Sequence, residues 1–170
     1  NIENASFDAG TDVDVNDSVT TDDDIAITAG RDVNGNAALH ATDADGDGLA
    51  GVTLTAGRAI YVTTNGSVTA SGDGANYENR DVIKMTTLDV ATDNNVDIDG
   101  AVTANGTEAD ISIDPYDVDI SANVSATGSV EIEAARDVTI DSGVTVEADD
   151  EVGPTGVGDL IINAGRNVDA

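Results

Sequence analysis

Three aspartates at alternate positions form the most distinctive chemical motif of the chain. In Asp43-Ala-Asp45-Gly-Asp47-Gly48, carboxylates two residues apart precede a glycine, a spacing that lets a loop fold its oxygens round calcium. Counted from Asp43, the twelfth position holds Leu54, where a helix-loop-helix calcium site needs a bidentate acid. We therefore predict a looser calcium loop at Asp43, Asp45 and Asp47, completed by backbone oxygens or a neighbouring segment. A solvated acidic loop is the alternative.

Most of the basic residues share one sequence context. Four of the six follow an Ala-Gly or Ala-Ala pair, namely Arg31, Arg58, Arg136 and Arg166. A repeated context favours a structural role over a binding role. We expect these guanidinium groups to pair with Asp32, Asp137 or acids on adjacent segments, because a guanidinium fork matches a carboxylate.

The residue types give little support for catalysis. His40, in a third-strand stretch, is the only histidine and cysteine is absent, so no His-pair or Cys zinc site can be built and we expect no Ser-His-Asp triad. Acids are abundant enough for a glycosidase-like pair to arise by chance. Aromatic rings for sugar stacking are few, with Tyr61, Tyr77 and Tyr116 as the only tyrosines and no tryptophan. We predict that the chain is not an enzyme.

The charge of the chain excludes several partners. Thirty-four acidic residues against six basic ones give a net charge of -28. A nucleic acid needs a basic footprint, and an anionic membrane surface repels such a chain. No apolar run is long enough for a membrane helix. We therefore expect no nucleic-acid partner and no membrane insertion, whereas divalent cations are favoured.

A repeat of about eleven residues positions these groups. We count seven copies, Ala5–Val15, Ile25–Gly35, Val52–Val62, Leu88–Ile98, Ile111–Ile120, Val130–Ile140 and Leu160–Ala170. Positions one and three are apolar or small, position nine is Val or Ile, and a small-residue corner lies between them. This pattern predicts two short strands joined by a tight bend.

A third short apolar stretch follows most copies after a turn. The stretches are Val19–Thr21, Leu39–Ala41, Val68–Ala70, Val102–Ala104, Val124–Ala126 and Val144–Val146. Three strands per coil with Gly, Asn and Asp corners predict an all-β fold, a parallel β-helix of about seven coils. With 2% aromatic residues, its core must be narrow and built from stacked small and β-branched side chains.

Insertions are expected mainly at one corner, after the third strand. They are Thr42–Gly51, Ser71–Thr87, Asn105–Asp110 and Asp149–Asp159. A seam of loops on one edge is a common location for function on a solenoid, although solenoid corners also tolerate insertions without function. Position ten, which faces outward, forms a column that includes Asp14, Asp97, Asp119 and Asp169. Stacked carboxylates repel unless a cation or a donor intervenes.

The copies carry a family resemblance. The run Ile25-Ala-Ile-Thr-Ala-Gly-Arg-Asp-Val33, repeated at Val52–Ile60 and Leu160–Val168, resembles the repeats of filamentous-haemagglutinin-type exoproteins, adhesins exported by two-partner secretion. The resemblance covers essentially the whole chain. It implies a right-handed parallel β-helix, an extracellular or cell-surface location, and an adhesive or fibre-forming role.

We therefore expect residues 1–170 to form a single β-solenoid segment of an extracellular filament or adhesin, without catalytic function. Its expected partners are copies of itself stacked head to tail or flanking repeats, with host or neighbouring-cell glycans as a further class. We expect the segment to continue into a longer or head-to-tail assembled fibre. The alternative function is a glycan-binding or glycan-cleaving β-helix protein, which a groove lined by tyrosines and converging acids would favour.

Overall fold

The computed structural model describes residues 2–43, 50–72, 81–88, 95–106, 108–149 and 158–170. Within these ranges the regular elements are twenty short β-strands, arranged in three sheets. Every pairing between neighbouring strands is parallel and joins one coil to the next, as in β1 with β4, β2 with β5 and β3 with β6. The predicted all-β parallel β-helix with three strands per coil and about seven coils is confirmed.

The first-strand sheet has seven strands. In spatial order they are β1 (Ala5–Ala9), β4 (Ile25–Ala29), β7 (Val52–Ala56), β10 (Asp81–Thr87), β13 (Asp110–Asp114), β16 (Val130–Ala134) and β19 (Leu160–Ala164). Each of these strands opens one coil, and coils 1 to 7 are numbered accordingly.

The second-strand sheet also has seven strands, and the third-strand sheet has six. The second-strand sheet contains β2 (Val13–Val15), β5 (Asp32–Gly35), β8 (Ala59–Val62), β11 (Asn95–Ile98), β14 (Asp117–Ile120), β17 (Asp137–Ile140) and β20 (Asn167–Asp169). The third-strand sheet contains β3 (Val19–Thr21), β6 (Ala38–Ala41), β9 (Ser67–Ala70), β12 (Val102–Ala104), β15 (Val124–Ala126) and β18 (Val146–Ala148).

The core is a set of apolar columns that run along the solenoid axis. Equivalent residues stack in register, so that Ile27 lies over Leu54 and Val118 over Val138. Position-one residues of coils 2 to 6 are buried, namely Ile25, Val52, Ile83, Ile111 and Val130. Alternation along each strand directs these side chains inward, where each layer supplies the packing partner of the next.

The fourth copy was misassigned at its first strand. We predicted Leu88 at position one, but β10 pairs with β7 through Ile83 opposite Val52 and Met85 opposite Leu54. Leu88 is 65% exposed, whereas Ile83 and Met85 are fully buried. Two alternating apolar segments compete here, and the earlier one supplies the larger buried side chains in register with the neighbouring coils.

Two further boundaries differ from the sequence prediction. The insertion predicted at Ser71–Thr87 has the wrong end, because residues 81–87 form strand β10. Within coil 4, residues 88–94 of the sequence separate β10 from β11. In coil 6 the third strand is Val146–Ala148, with Val146 opposite Val124, so Val144–Val146 was placed two residues too early. The other three corner insertions lie between third and first strands as predicted, except that Asp110 is already the first residue of β13.

Candidate functional site

The predicted calcium loop lies mostly outside the described residues. Asp43 is the second residue after β6, whereas Asp45 and Asp47 belong to the undescribed residues 44–49. Among the described residues, no group of three or more His, Cys, Asp or Glu side chains is placed to hold a metal ion. Calcium binding at Asp43, Asp45 and Asp47 therefore remains a prediction.

The acidic run before coil 2 has structural partners. Asp24 Oδ1 accepts a hydrogen bond from the Gly51 amide at 3.0 Å, and Asp23 Oδ2 accepts one from the Asn4 side chain at 3.2 Å. Both bonds join neighbouring coils at one corner. Asp23 and Asp24 therefore link neighbouring coils at this corner.

His40 lies on the outer face of the third-strand sheet. It stands in register between Thr20 of coil 1 and Thr69 of coil 3. Neither neighbour is an acid, so the aligned residues do not provide the carboxylate partner of a catalytic triad. The position of this histidine does not test the prediction of a non-catalytic chain.

The four corner arginines form bidentate forks with aspartates of the preceding coil. Arg31 Nε donates to Asp12 at 2.6 Å, and Arg58 Nε to Asp32 at 2.8 Å. A terminal nitrogen of each arginine contacts the second oxygen of the same carboxylate. Asp32 also lies 3.7 Å from Arg31, so these four residues form one continuous chain of charges, the amino-terminal ladder.

A second chain of charges has the same construction. Arg136 Nε donates to Asp117 at 2.7 Å and Arg166 Nε to Asp137 at 2.9 Å, each with a second contact from a terminal nitrogen. Asp137 lies 3.5 Å from Arg136 and joins the two forks into the carboxyl-terminal ladder. The predicted pairing of the arginines with Asp32, Asp137 and acids on adjacent coils is confirmed.

The forks lower the pKa of two of the acids that accept them. The hydrogen bond from Arg31 lowers the pKa of the Asp12 carboxyl, and that from Arg166 lowers the pKa of Asp137. A guanidinium donor stabilises the charged form of its acceptor. Asp12 and Asp137 therefore keep their negative charge to a lower pH than a free aspartate does.

The outward acidic column of the second-strand sheet is also present. Asp97 lies in register with Asp119 on the next coil. Burial raises the pKa of Asp97, with further contributions from Asp99 and Asp119. Burial likewise raises the pKa of Asp119, followed by repulsion from Asp141 and Asp99. This part of the column carries unfavourable negative charge.

A donor relieves the same column elsewhere. Asn34 stands beside Asp14, and its side-chain nitrogen donates to Asp14 Oδ1 at 2.6 Å. The sequence expectation that a donor or a cation must separate stacked acids is met by Asn34 at this rung.

A groove of about 580 Å³ lies on the second-strand face between the two ladders. One end is formed by Arg58 and Tyr61 of coil 3, and the other by Arg136 and Thr139 of coil 6. Asn95 and Asp119 of the intervening coils also line it, together with Asp117, Val118 and Asp137. The sequence analysis did not identify this groove, although it named Tyr61 and the Asp119 column.

The groove lies where the arginine and aspartate pattern is interrupted. Position eight is aspartate in coils 1, 2, 5 and 6, namely Asp12, Asp32, Asp117 and Asp137. It is Ala59 in coil 3, Asn95 in coil 4 and Asn167 in the last coil. Position seven of coil 5 is Tyr116 in place of arginine, and the guanidinium carbon of Arg136 lies 5.0 Å from the centre of its ring. These departures from the repeat were the sequence signal for the groove.

Both ends of the coil stack expose apolar side chains. Coil 1 exposes Phe7 at 40%, and coil 7 exposes Leu160 at 47% and Val168 at 51%. Equivalent residues of the inner coils, such as Ile27 and Val33, are fully buried. Within the described residues, β1 and β19 each have one neighbouring strand in their sheet.

Comparison with protein-family models gives no match, and comparisons with curated proteins and with solved structures give none either. The haemagglutinin-type resemblance therefore rests on the repeat residues themselves. No helix in the described part of the chain is long and apolar enough to cross a membrane.

Proposed function

We propose that the chain is a non-catalytic structural segment of an extracellular or cell-surface filament or adhesin. Its coils continue at both ends into further solenoid coils, supplied by flanking repeats or by copies of the chain stacked head to tail. The calcium loop at Asp43, Asp45 and Asp47 belongs to this proposal as a stabilising site. The extracellular location rests on the repeat resemblance.

The proposal rests mainly on the surroundings of Gly10, the glycine at the corner between β1 and β2 of coil 1. In coils 2, 3 and 7 a carbonyl of the preceding coil lies against the equivalent glycine, whereas coil 6 has Ala135 at the same position. A Cβ on Gly30 would lie 2.4 Å from the Gly10 oxygen, and a Cβ on Gly57 would lie 2.2 Å from the Gly30 oxygen. Gly165 has the same relation to Ala135, at 2.1 Å. In these coils the glycine therefore accommodates the close approach of the preceding coil.

Gly10 has no such neighbour within the described chain. Nothing lies within 4 Å of a Cβ built on it, and its backbone is not in the left-handed region that favours glycine. A further coil beneath coil 1 would place a carbonyl oxygen there, as Gly10 does for Gly30. The carbonyl of Gly165 occupies the matching position on coil 7.

The exposed apolar residues support the same junction. Stacking coil 7 on coil 1 of a second copy would bury Leu160 and Val168 against Ala5 and Val13, at equal repeat positions. The unpaired strand edges would then be satisfied by parallel pairing. Such a contact is heterologous and propagates into a fibre.

The test compares self-association of the 170-residue chain with that of Gly10→Ala. We expect concentration-dependent assembly into filaments in moderate salt, which screens the charge of -28, and weaker assembly for the variant with an unchanged melting temperature in dilute solution. Sedimentation velocity, electron microscopy and thermal melting are the measurements.

Two variants control this comparison. Gly57→Ala places its methyl group against the Gly30 carbonyl and should lower the melting temperature of the dilute chain. Ser18→Ala, on an exposed turn of coil 1, should change neither melting nor assembly. A wild-type chain that stays monomeric at high concentration and in high salt would rule out stacking of copies. A tandem fusion with no gain in melting temperature would also rule out continuation through flanking repeats.

A further inference from the structure

The groove between the two ladders presents hydrogen-bonding groups that have no partner in the described chain. Asp119, Asn95 and Thr139 line it, and their side chains make no hydrogen bond to the described residues. Asp119 offers an acceptor, Asn95 offers both a donor and an acceptor, and the hydroxyl of Thr139 can act in either sense. Groups of alternating type thus converge on one open volume.

The arginines at the two ends add directed donors. Arg58 and Arg136 each use Nε and one terminal nitrogen in the fork to an aspartate. The second terminal nitrogen of each makes no hydrogen bond to the described residues. Because the forks fix both guanidinium planes, these donors are held in place before a ligand arrives.

One end of the groove also has an aromatic ring. Tyr61 lines the groove on coil 3, and Arg136 on coil 6 packs over the ring of Tyr116. An aromatic ring beside alternating donors and acceptors suits a ligand with an apolar face and polar edges. A sugar ring has both.

Other ligand classes fit this chemistry less well. The described residues contain no group of three acidic or histidine side chains placed for a metal ion. An anion would meet Asp117, Asp119 and Asp137 in a chain of charge -28, with the arginines already paired. An apolar ligand would leave the polar lining without partners.

We propose that this groove binds a neutral oligosaccharide, with Asp119 and Asn95 holding ring hydroxyls and Tyr61 stacking on a sugar face. The groove extends over coils 3 to 6, three rung spacings or roughly 14 Å, which suits a short oligosaccharide rather than a single sugar. This inference develops the glycan-binding alternative and does not depend on assembly of the chain into filaments.

The test is binding of neutral trisaccharides to the dilute monomeric chain. Maltotriose, cellotriose and mannotriose are compared with trigalacturonic acid by saturation-transfer NMR and titration calorimetry. We expect at least one neutral trisaccharide to bind and the acidic one not to bind. Asp119→Asn should weaken binding about tenfold, because it replaces a charged acceptor. Tyr61→Ala should weaken it about three- to tenfold, and Tyr61→Phe should retain it.

Asp169→Asn is the matched control, since Asp169 holds the same repeat position on coil 7, outside the groove. It should bind like the wild type. No transfer from any neutral trisaccharide at millimolar concentration, binding of the acidic sugar alone, or equal loss in Asp169→Asn would each overturn the proposal. If no neutral trisaccharide binds but filaments still assemble, the oligosaccharide proposal fails and the filament proposal stands.

Discussion

The arginine forks show how one residue type can fix the spacing of neighbouring coils. Each guanidinium is planar and meets both oxygens of a carboxylate, which a lysine ammonium cannot do. Arg58 reaches Asp32, whose side chain is only 8% exposed, whereas Arg31 reaches Asp12 at 26%. The stability lost when the arginine is removed depends on how well water can solvate the carboxylate that remains.

We therefore predict that Arg58→Ala lowers the melting temperature at neutral pH more than Arg31→Ala does. The first change leaves a buried carboxylate with only the longer contact to Arg31, and the second leaves a carboxylate that water reaches. Thermal melting by circular dichroism measures both. Equal losses would show that burial of the acid does not decide the strength of the fork.

The crowded aspartates of the second-strand sheet predict a pH-dependent gain of stability. The pKa of Asp119 is raised in the folded chain by burial and by Asp141 and Asp99. A group of this kind contributes stability that is present below its unfolded pKa and is lost as the pH rises through its folded pKa. Asp119→Asn should therefore raise the melting temperature at pH about 7, and the gain should vanish below pH about 3.9.

Asp14→Asn is the control for this prediction, because Asp14 occupies the same column but accepts a hydrogen bond from Asn34. It should give no gain at neutral pH. An Asp119→Asn gain that persists unchanged in acid would mean that charge is not its cause.

At this scale the sequence predicted the arginine pairs but not the groove. Arg31, Arg58, Arg136 and Arg166 share a repeat position, so neighbouring acids could be inferred from the repeat alone. The groove depends on Ala59, Asn95 and Tyr116 lying on successive coils, and their spacing in sequence differs because the insertions differ. Only the register between coils brings these residues together.

At the scale of strands, apolar alternation predicted most of the fold. It failed in coil 4, where Leu88 was chosen over Ile83, because both begin an alternating apolar segment of similar length. Local pattern cannot decide between two such segments; the decision comes from which one stacks over β7 and buries more apolar surface. The same ambiguity displaced the predicted third strand of coil 6 by two residues.

The confirmed register predicts which substitutions break a coil. Ile113 and Val138 are each 1% exposed, so Ile113→Asp or Val138→Asp would bury an unpaired carboxylate. We expect a loss on the order of several kcal/mol, a large part of the stability of a typical domain. Urea unfolding followed by circular dichroism is the measurement.

Ser112→Asp is the matched control on the same strand as Ile113. Ser112 faces outward and stands in register with Lys84 on one side and Glu131 on the other, so a carboxylate there remains solvated and has a cation beside it to offset the acid. It should unfold like the wild type. Wild-type behaviour of Ile113→Asp would contradict the inward orientation of position three.

At the scale of the whole molecule, the charge of -28 is distributed over a narrow solenoid and opposes both compactness and assembly. A bound divalent cation would reduce this repulsion and, if it binds only the folded chain, raise stability by mass action. We predict that calcium raises the melting temperature more than magnesium at equal ionic strength. Asp45→Asn with Asp47→Asn should remove the difference, and equal melting in calcium, magnesium and chelator would contradict it.

Strand pairing between consecutive coils also has a consequence for how the chain acquires its structure. Partners such as Ala5 and Ile25, or Val130 and Leu160, are separated by one coil of sequence. No strand has to wait for a distant part of the chain, so each coil can form on the one before it as soon as it is available. In the exported filament proposed above, a chain that emerges end first would fold coil by coil in the order of its sequence, and the folded coils would oppose its return.

This ordered folding can be measured on shortened chains. Chains ending after Ala104 and after Ala126 should retain β-structure, with melting temperatures that rise with the number of coils. Loss of all structure in both would show that the seven coils fold only as one unit.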